Sequence, residues 1–195
     1  MKQTVAEKPK PKKKVWTYEE YLQNTDEGRY ELINGRLERM PAPGFIHQRV
    51  LARLFLVMRL WTEEKSIGEV LPAPFDVILG ERVVVQPDIV FISKENLKNV
   101  REDRLFGPPD LVVEIVSPNT VRRDTFVKKN LYAEAGVKEY WIVYPEERAI
   151  EVWVLKEGKY HLHSVSEGDG RVKSEVLKGL EVDVKGVFRV GGEDQ

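Results

Sequence analysis

The chain has 195 residues, of which 31 are Lys or Arg, 32 are Asp or Glu, and 42% are hydrophobic. This length is typical of one globular domain, and the hydrophobic content is sufficient for a core, which excludes a wholly disordered chain. No apolar run approaches the ~20 residues of a membrane-spanning helix. The lack of cysteine excludes disulfide frameworks and thiolate metal sites, and it suits a reducing compartment. Because the first residues also lack the apolar stretch of a secretory signal, we expect a cytoplasmic protein.

The net charge of −1 hides an uneven distribution of charge along the chain. Residues 1–14 contain six lysines and one glutamate (+5), which leaves −6 for the remaining residues. Two prolines interrupt the lysines, so we expect a basic disordered arm over 1–16, a single domain over 17–190 and a frayed tail over 191–195. A basic arm on an acidic body is one layout of nucleic-acid-binding proteins, and a merely solvated terminus is the alternative.

The first predicted elements are a helix, a hairpin and a second helix. The short helix follows Thr17, which can form a capping box with Glu20. Asn34-Gly35, flanked by extended residues, predicts a tight β-hairpin. Apolar residues at spacings of three and four then predict a helix over 45–61.

Strands dominate the rest of the sequence. Short β-branched runs bounded by Pro or Gly predict strands at 70–71, 75–79, 83–85, 89–92, 111–116, 140–144, 150–154 and 160–163. A helix is predicted from Val121 to Ala135 and ends at Gly136, and the apolar residues over 180–188 predict one more piece at a sheet edge. This order predicts an α/β (α+β) fold with a mixed β-sheet flanked by helices.

Two acidic residues stand at the predicted buried strands. Asp88 follows Pro87 at the entrance of one strand, where a simple turn is the alternative explanation. Glu114 interrupts the apolar run 111–116, where an ionised carboxylate is costly unless it is paired or binds a metal. The alternative for Glu114 is an edge strand with this side chain facing water.

A lysine is predicted to face the core from the 121–135 helix. Lys128 lies on the apolar stripe with Leu131, whereas Lys129 lies on the opposite side. A local ion pair with Asp124, four residues earlier, is the alternative role for Lys128. Carboxylates suit Mg²⁺, and a nearby lysine can stabilise charge on phosphorus, so the three residues together favour metal-dependent phosphodiester hydrolysis.

Several segments carry a resemblance to a known family: Pro87-Asp88, 110–118, Lys128, 131–141, 30–35 and His47. They resemble the Uma-two family of endonucleases in the PD-(D/E)XK restriction-endonuclease-like superfamily, from about Thr17 to about Phe188. The resemblance implies a restriction-endonuclease-like fold, with Asp88 and Glu114 as ligands of Mg²⁺ or Mn²⁺. Val116 occupies the position of the motif lysine, and the resemblance implies that this lysine has moved to Lys128.

Further residues are predicted to support the site. Glu31 and His47 are candidates for a third acid and for a group that orients water or phosphate, with an exposed strand position and a core histidine as the alternatives. Arg122, Arg123 and Lys129 are predicted to contact nucleic acid. The predicted function is a metal-dependent DNA endonuclease, with a C₂ homodimer as the default symmetric form. A non-catalytic nucleic-acid-binding or assembly module that retains the fold is the alternative.

Overall fold

The computed structural model describes residues 14–24, 27–118 and 120–189. Residues 1–13 of the predicted arm and the predicted tail 191–195 lie outside the described residues. At the start of the described part, the Trp16 amide donates a hydrogen bond to the Gly35 carbonyl at 2.8 Å. None of the described helices has the length and apolarity needed to cross a membrane.

The described residues form four α-helices and fourteen strands. The helices are α1 (Tyr18–Leu22), α2 (Phe45–Lys65), α3 (Lys129–Ala135) and α4 (Val184–Phe188), with a 3₁₀ turn at Leu97–Asn99 and a π-helical segment at Arg123–Lys128. The strands are β1 (Arg29–Ile33), β2 (Arg36–Met40), β3 (Gly68–Pro72), β4 (Val77–Gly80), β5 (Val83–Val85), β6 (Ile89–Ser93), β7 (Val100–Arg101), β8 (Arg104–Phe106), β9 (Leu111–Ile115), β10 (Glu139–Tyr144), β11 (Ala149–Lys156), β12 (Lys159–Glu167), β13 (Arg171–Lys173) and β14 (Glu181–Asp183).

The strands form two large mixed sheets and one small sheet. The first sheet has the order β2-β1-β5-β4-β8-β7, and the second has the order β12-β11-β10-β9-β6-β3. In the second sheet, β9 and β10 are parallel, and the π-helical segment and α3 lie in the connection between them. The predicted α+β fold with helices flanking mixed β-structure is confirmed.

Three apolar clusters hold the layers together. One lies between the second sheet and α2, and also includes residues of β14 and α4. The second joins the inner faces of the two large sheets with α3. The third is small and packs the outer face of the first sheet against α1. The site described below lies beside the second cluster, where both sheets and the π-helical segment meet.

Local sequence signals account for the N-terminal elements. The Thr17 hydroxyl accepts a hydrogen bond from the Glu20 amide, and the Glu20 carboxylate accepts one from the Thr17 amide, which confirms the capping box. Asn34 and Gly35 both have positive φ angles, at 50° and 76°, as a tight hairpin between β1 and β2 requires.

The prediction for residues 180–188 needs correction. Instead of one further edge element, the chain forms β14, which pairs with β13, and then turns into α4. Val182, Val184 and Val187 are all buried in the cluster beneath α2. A segment this short gives no usable periodicity, so its packing partners determine its structure.

Candidate active site

Asp88 and Glu114 face each other across two central strands. In the antiparallel register of β6 and β9, Ile89 pairs with Val113 and Val90 pairs with Val112. Extending this register by one residue sets Asp88 opposite Glu114, and directly opposed residues of one face lie ~5 Å apart at Cβ. The ladder therefore brings together the two carboxylates that the sequence predicts as metal ligands.

Asp88 is held by two hydrogen bonds to the same oxygen. Its Oδ2 accepts a hydrogen bond from the Ile115 amide at 2.7 Å and lies 3.1 Å from Nε2 of His47 at the start of α2. Oδ1 has no partner among the described hydrogen bonds. Asp88 is thus more than a turn residue, because its side chain ties the entrance of β6 to the end of β9.

Glu114 is buried within a central strand. Its Oε1 accepts hydrogen bonds from Nζ of Lys128 at 2.8 Å and from the hydroxyl of Tyr132 at 2.6 Å. β9 lies between β6 and β10, and all five of its residues are buried. The alternative of an edge strand with Glu114 facing water is therefore wrong.

Lys128 joins Glu114 to Glu31 of the first sheet. Its ammonium lies 2.8 Å from Oε1 of Glu31, and both side chains are fully buried. The Gln86 amide donates a second hydrogen bond to the same Glu31 oxygen, at 2.8 Å. Glu31 is therefore not the exposed residue of an alternating strand. In the described structure, the ion pairs of Lys128 are formed with Glu31 and Glu114 and not with Asp124.

Burial and neighbouring charges shift the pKa values of Glu114 and Lys128. Burial raises the pKa of the Glu114 carboxyl from its ordinary value of 4.5 to about 8, although the charge of Lys128 opposes the shift. Burial alone would lower the pKa of Lys128, but attraction to Glu114, Glu31 and Asp124 raises it above its ordinary value. Lys128 is therefore a cation at neutral pH, and its ammonium contacts one glutamate from each of the two large sheets.

The segment that carries Lys128 is π-helical. Residues Arg123–Lys128 form i→i+5 turns, whereas the sequence predicts a regular α-helix over 121–135. In an α-helix, five residues correspond to ~1.4 turns, so Arg123 and Lys128 would point in different directions. In the wider π-turn, both cations reach Glu31, with Nη1 of Arg123 3.8 Å from Oε2.

These residues border a cavity of about 250 Å³. Of the predicted site residues, Asp88, Glu114, His47 and Arg123 line it. Lys128 and Glu31 lie behind the lining, where they support Glu114. Arg122 is exposed outside the cavity, and the ammonium of Lys129 lies over the ring of Trp153, so neither contributes to the lining.

The cavity lining also includes residues that were not among the predicted site residues, among them Arg29, the segment 40–44, Ser117, Thr120 and Asp124. Segment 40–44 contains two prolines, Pro41 and Pro43, which restrict the backbone there and indicate a fixed shape. Asp124 is buried, which raises the pKa of its carboxyl. Arg29 had no sequence signal, since only the pairing of β1 brings it to the cavity.

The residues present fit a hard divalent cation. Carboxylates are the protein ligands that Mg²⁺ uses, often only one or two of them together with water. Asp88 and Glu114 supply two, and the described hydrogen bonds leave Oδ1 of Asp88 and Oε2 of Glu114 open. The described residues contain no group of three or more His, Asp or Glu arranged to hold a metal, so protein atoms would fill only part of a coordination sphere.

Comparison with known proteins agrees with this architecture. Residues 17–185 match the family model described as "Uma2: Putative restriction endonuclease". The chain belongs to the Uma2 family. A crystal structure from Anabaena variabilis, described as a putative nuclease belonging to DUF820, matches with a TM-score of 0.74 and 18% identity, over 88% of this chain and 97% of that chain. A comparison with curated proteins found no match.

Family and fold together support a nuclease, and the resemblance predicted from the sequence is confirmed. The match to the Uma2 model begins at Thr17, the N-cap of α1, and ends at Lys185 within α4. It therefore includes every element that borders the cavity.

Proposed function

We propose that this protein is a divalent-metal-dependent endonuclease that hydrolyses phosphodiester bonds of DNA. The observation that carries the proposal is the pair Asp88 and Glu114, which face each other across β6 and β9 at the wall of an open cavity. Cationic side chains border the same cavity, as binding of a phosphate requires. Membership of the Uma2 family supports nuclease chemistry at this site.

Asp88 and Glu114 are the residues that would hold Mg²⁺ or Mn²⁺. A bound divalent cation supplies an activated water and neutralises charge that develops on the phosphoryl oxygens. The protein contributes rigidity, since the Ile115 amide fixes Asp88 and the Tyr132 hydroxyl fixes Glu114. Carboxylates held in this way need little reorganisation when a cation binds.

His47 and Lys128 have supporting roles in this proposal. His47 contacts Asp88 through Nε2, and so restrains the carboxylate at the cavity wall. Lys128 lies between Glu31 and Glu114, within 2.8 Å of an oxygen of each, and thereby keeps Glu114 in place. A direct role of Lys128 in stabilising charge on phosphorus stays a prediction from the family motif.

The test is metal-dependent nicking of plasmid DNA, together with calorimetric titration of Mg²⁺ and Mn²⁺. Wild type should nick DNA with either metal and not in EDTA, and Asp88→Asn should lose both cleavage and metal binding. Asp103→Asn, at an exposed aspartate outside the cavity, is the matched control and should behave as wild type. DNA binding without cleavage under all these conditions would favour the non-catalytic module instead.

Two further parts of the proposal concern context. The lack of cysteine suits a reducing cytoplasm, where we place the activity. A C₂ homodimer would bring two sites to the two strands of a duplex, and light scattering measures this assembly state.

A further inference from the structure

The cation predicted from the family motif does not border the cavity. Lys128 is fully buried, and its ammonium makes two ion pairs of 2.8 Å, one with Glu31 and one with Glu114. An ammonium has three donors, and two of them serve these carboxylates. Lys128 therefore contacts its own structural partners, and none of the described cavity lining comes from it.

Arg123 is placed differently. Its side chain is 17% exposed and lines the cavity together with Asp88 and Glu114. Nε lies 3.4 Å from Oδ1 of Asp124, and Nη1 lies 3.1 Å from Sδ of Met40. The described contacts of Arg123 use Nε and Nη1 only, so Nη2 is left for another acceptor. A planar guanidinium with a fixed orientation suits a phosphate oxygen.

The π-helical segment explains why Arg123 has this orientation. The i→i+5 turns direct Arg123 and Lys128 to the same side, where one reaches the cavity and the other reaches the buried carboxylates. Asp124 and Glu31 flank the guanidinium on two sides and limit its rotation. An oriented charge needs little reorganisation in a transition state.

Arg29 is the other arginine in the cavity lining, and it is less restrained. Its Nε donates to Oε1 of Gln86 at 3.1 Å, and within the described residues it forms no ion pair with a carboxylate. A neutral amide limits rotation less strongly than two carboxylates do. Arg29 is therefore better suited to general attraction of the substrate than to a fixed contact.

We propose that Arg123 is the catalytic residue that contacts the scissile phosphate, whereas Lys128 is a positioning residue that fixes Glu31 and Glu114. This assignment rests on the proposed endonuclease function. It moves the transition-state charge contact from the buried lysine to the arginine five residues earlier, at the cavity wall.

The experiment is single-turnover cleavage of DNA at saturating Mg²⁺ by wild type, Arg123→Gln, Arg123→Lys and Arg123→Ala. Loss of a positioned charge-stabilising donor typically lowers the rate ~10²–10³-fold, which we expect for the glutamine variant. Lysine should retain part of the rate, because it keeps the charge without the planar fork. Arg82→Gln, at an exposed arginine outside the cavity, is the matched control and should cleave at the wild-type rate.

A chemical rescue separates a contact with substrate from a structural role. Added guanidinium should restore part of the rate of Arg123→Ala, with saturation, and should not raise its melting temperature. The same addition should not restore Lys128→Ala, because that site is fully buried. If Arg123→Gln cleaves at the wild-type rate, the inference is overturned while the endonuclease function stands. If wild type cleaves no DNA with Mg²⁺ or Mn²⁺, the proposed function fails and this inference fails with it.

Discussion

Replacing Glu114 by Gln should change how the stability of the protein depends on pH. Burial raises the pKa of this carboxyl from 4.5 to about 8, so the folded protein holds its proton more tightly than the unfolded chain does. A group with a raised pKa contributes stability that is full below its unfolded pKa and is lost as the pH rises through its folded pKa. For Glu114, the loss falls between about pH 4.5 and about pH 8.

The size of this effect follows from the same shift. Each unit of pKa difference corresponds to ~1.4 kcal/mol, and Glu114 is fully buried, so solvent screening reduces the effect little. Between about pH 5 and about pH 7.5, the wild type should lose ~3 kcal/mol of unfolding free energy through Glu114, relative to a variant that cannot titrate there. Glutamine is nearly the same size but stays neutral, so Glu114→Gln should lack this contribution.

Urea unfolding at several pH values, in EDTA, measures the difference between the two proteins. The absolute offset also contains the lost ion pair with Lys128, so the informative quantity is the change in the offset with pH. Glu64→Gln, at a largely exposed side chain of α2, is the control and should give a constant offset. Added Mg²⁺ should stabilise the wild type at the higher pH and leave Glu114→Gln unaffected, because a ligand stabilises only the state that binds it.

A constant offset between wild type and Glu114→Gln across this pH range would refute the reasoning. It would mean that Glu114 is ionised in the folded protein throughout, with Lys128 as its permanent counter-ion. Stabilisation of both proteins by Mg²⁺ to the same extent would instead remove Glu114 from the proposed metal ligands.

Three further changes test other parts of the structure. Lys128→Ala should lower the unfolding free energy by ~3–5 kcal/mol, because it leaves buried carboxylates unpaired, and a second change, Glu31→Gln, should recover part of that loss in urea unfolding. Thr17→Ala should cost ~1 kcal/mol by removing the hydroxyl that caps the Glu20 amide, and an unchanged urea midpoint would contradict that role. Deletion of residues 1–13 should leave the melting temperature unchanged. If the arm binds DNA, the deletion should also reduce the slope of log K for DNA binding against log salt concentration, by up to ~0.9 for each phosphate that the arm neutralises. An unchanged slope would assign the arm to solubility alone.

Local signals in the sequence determined a large part of the fold. The capping box at Thr17, the Asn34-Gly35 turn and the apolar run over 111–116 each depend on residues close together in the chain, and each has the predicted structure. The sequence also singles out Asp88 and Glu114, since one precedes a buried apolar run and the other interrupts one. Lys128 could likewise be predicted to face inward from the stripe it shares with Leu131.

Only the tertiary structure decided which of these groups contact each other. Lys128 and Glu31 are 97 positions apart in the sequence, and no spacing rule relates a helix near the middle of the chain to the first strand. The π-turn at Arg123–Lys128 is not predictable from its own residues, and the carboxylates that its two cations contact lie on different sheets, far away in the sequence. That arrangement separates the two cations. Lys128 is buried between two carboxylates, whereas Arg123, on the same helical segment, lines the cavity.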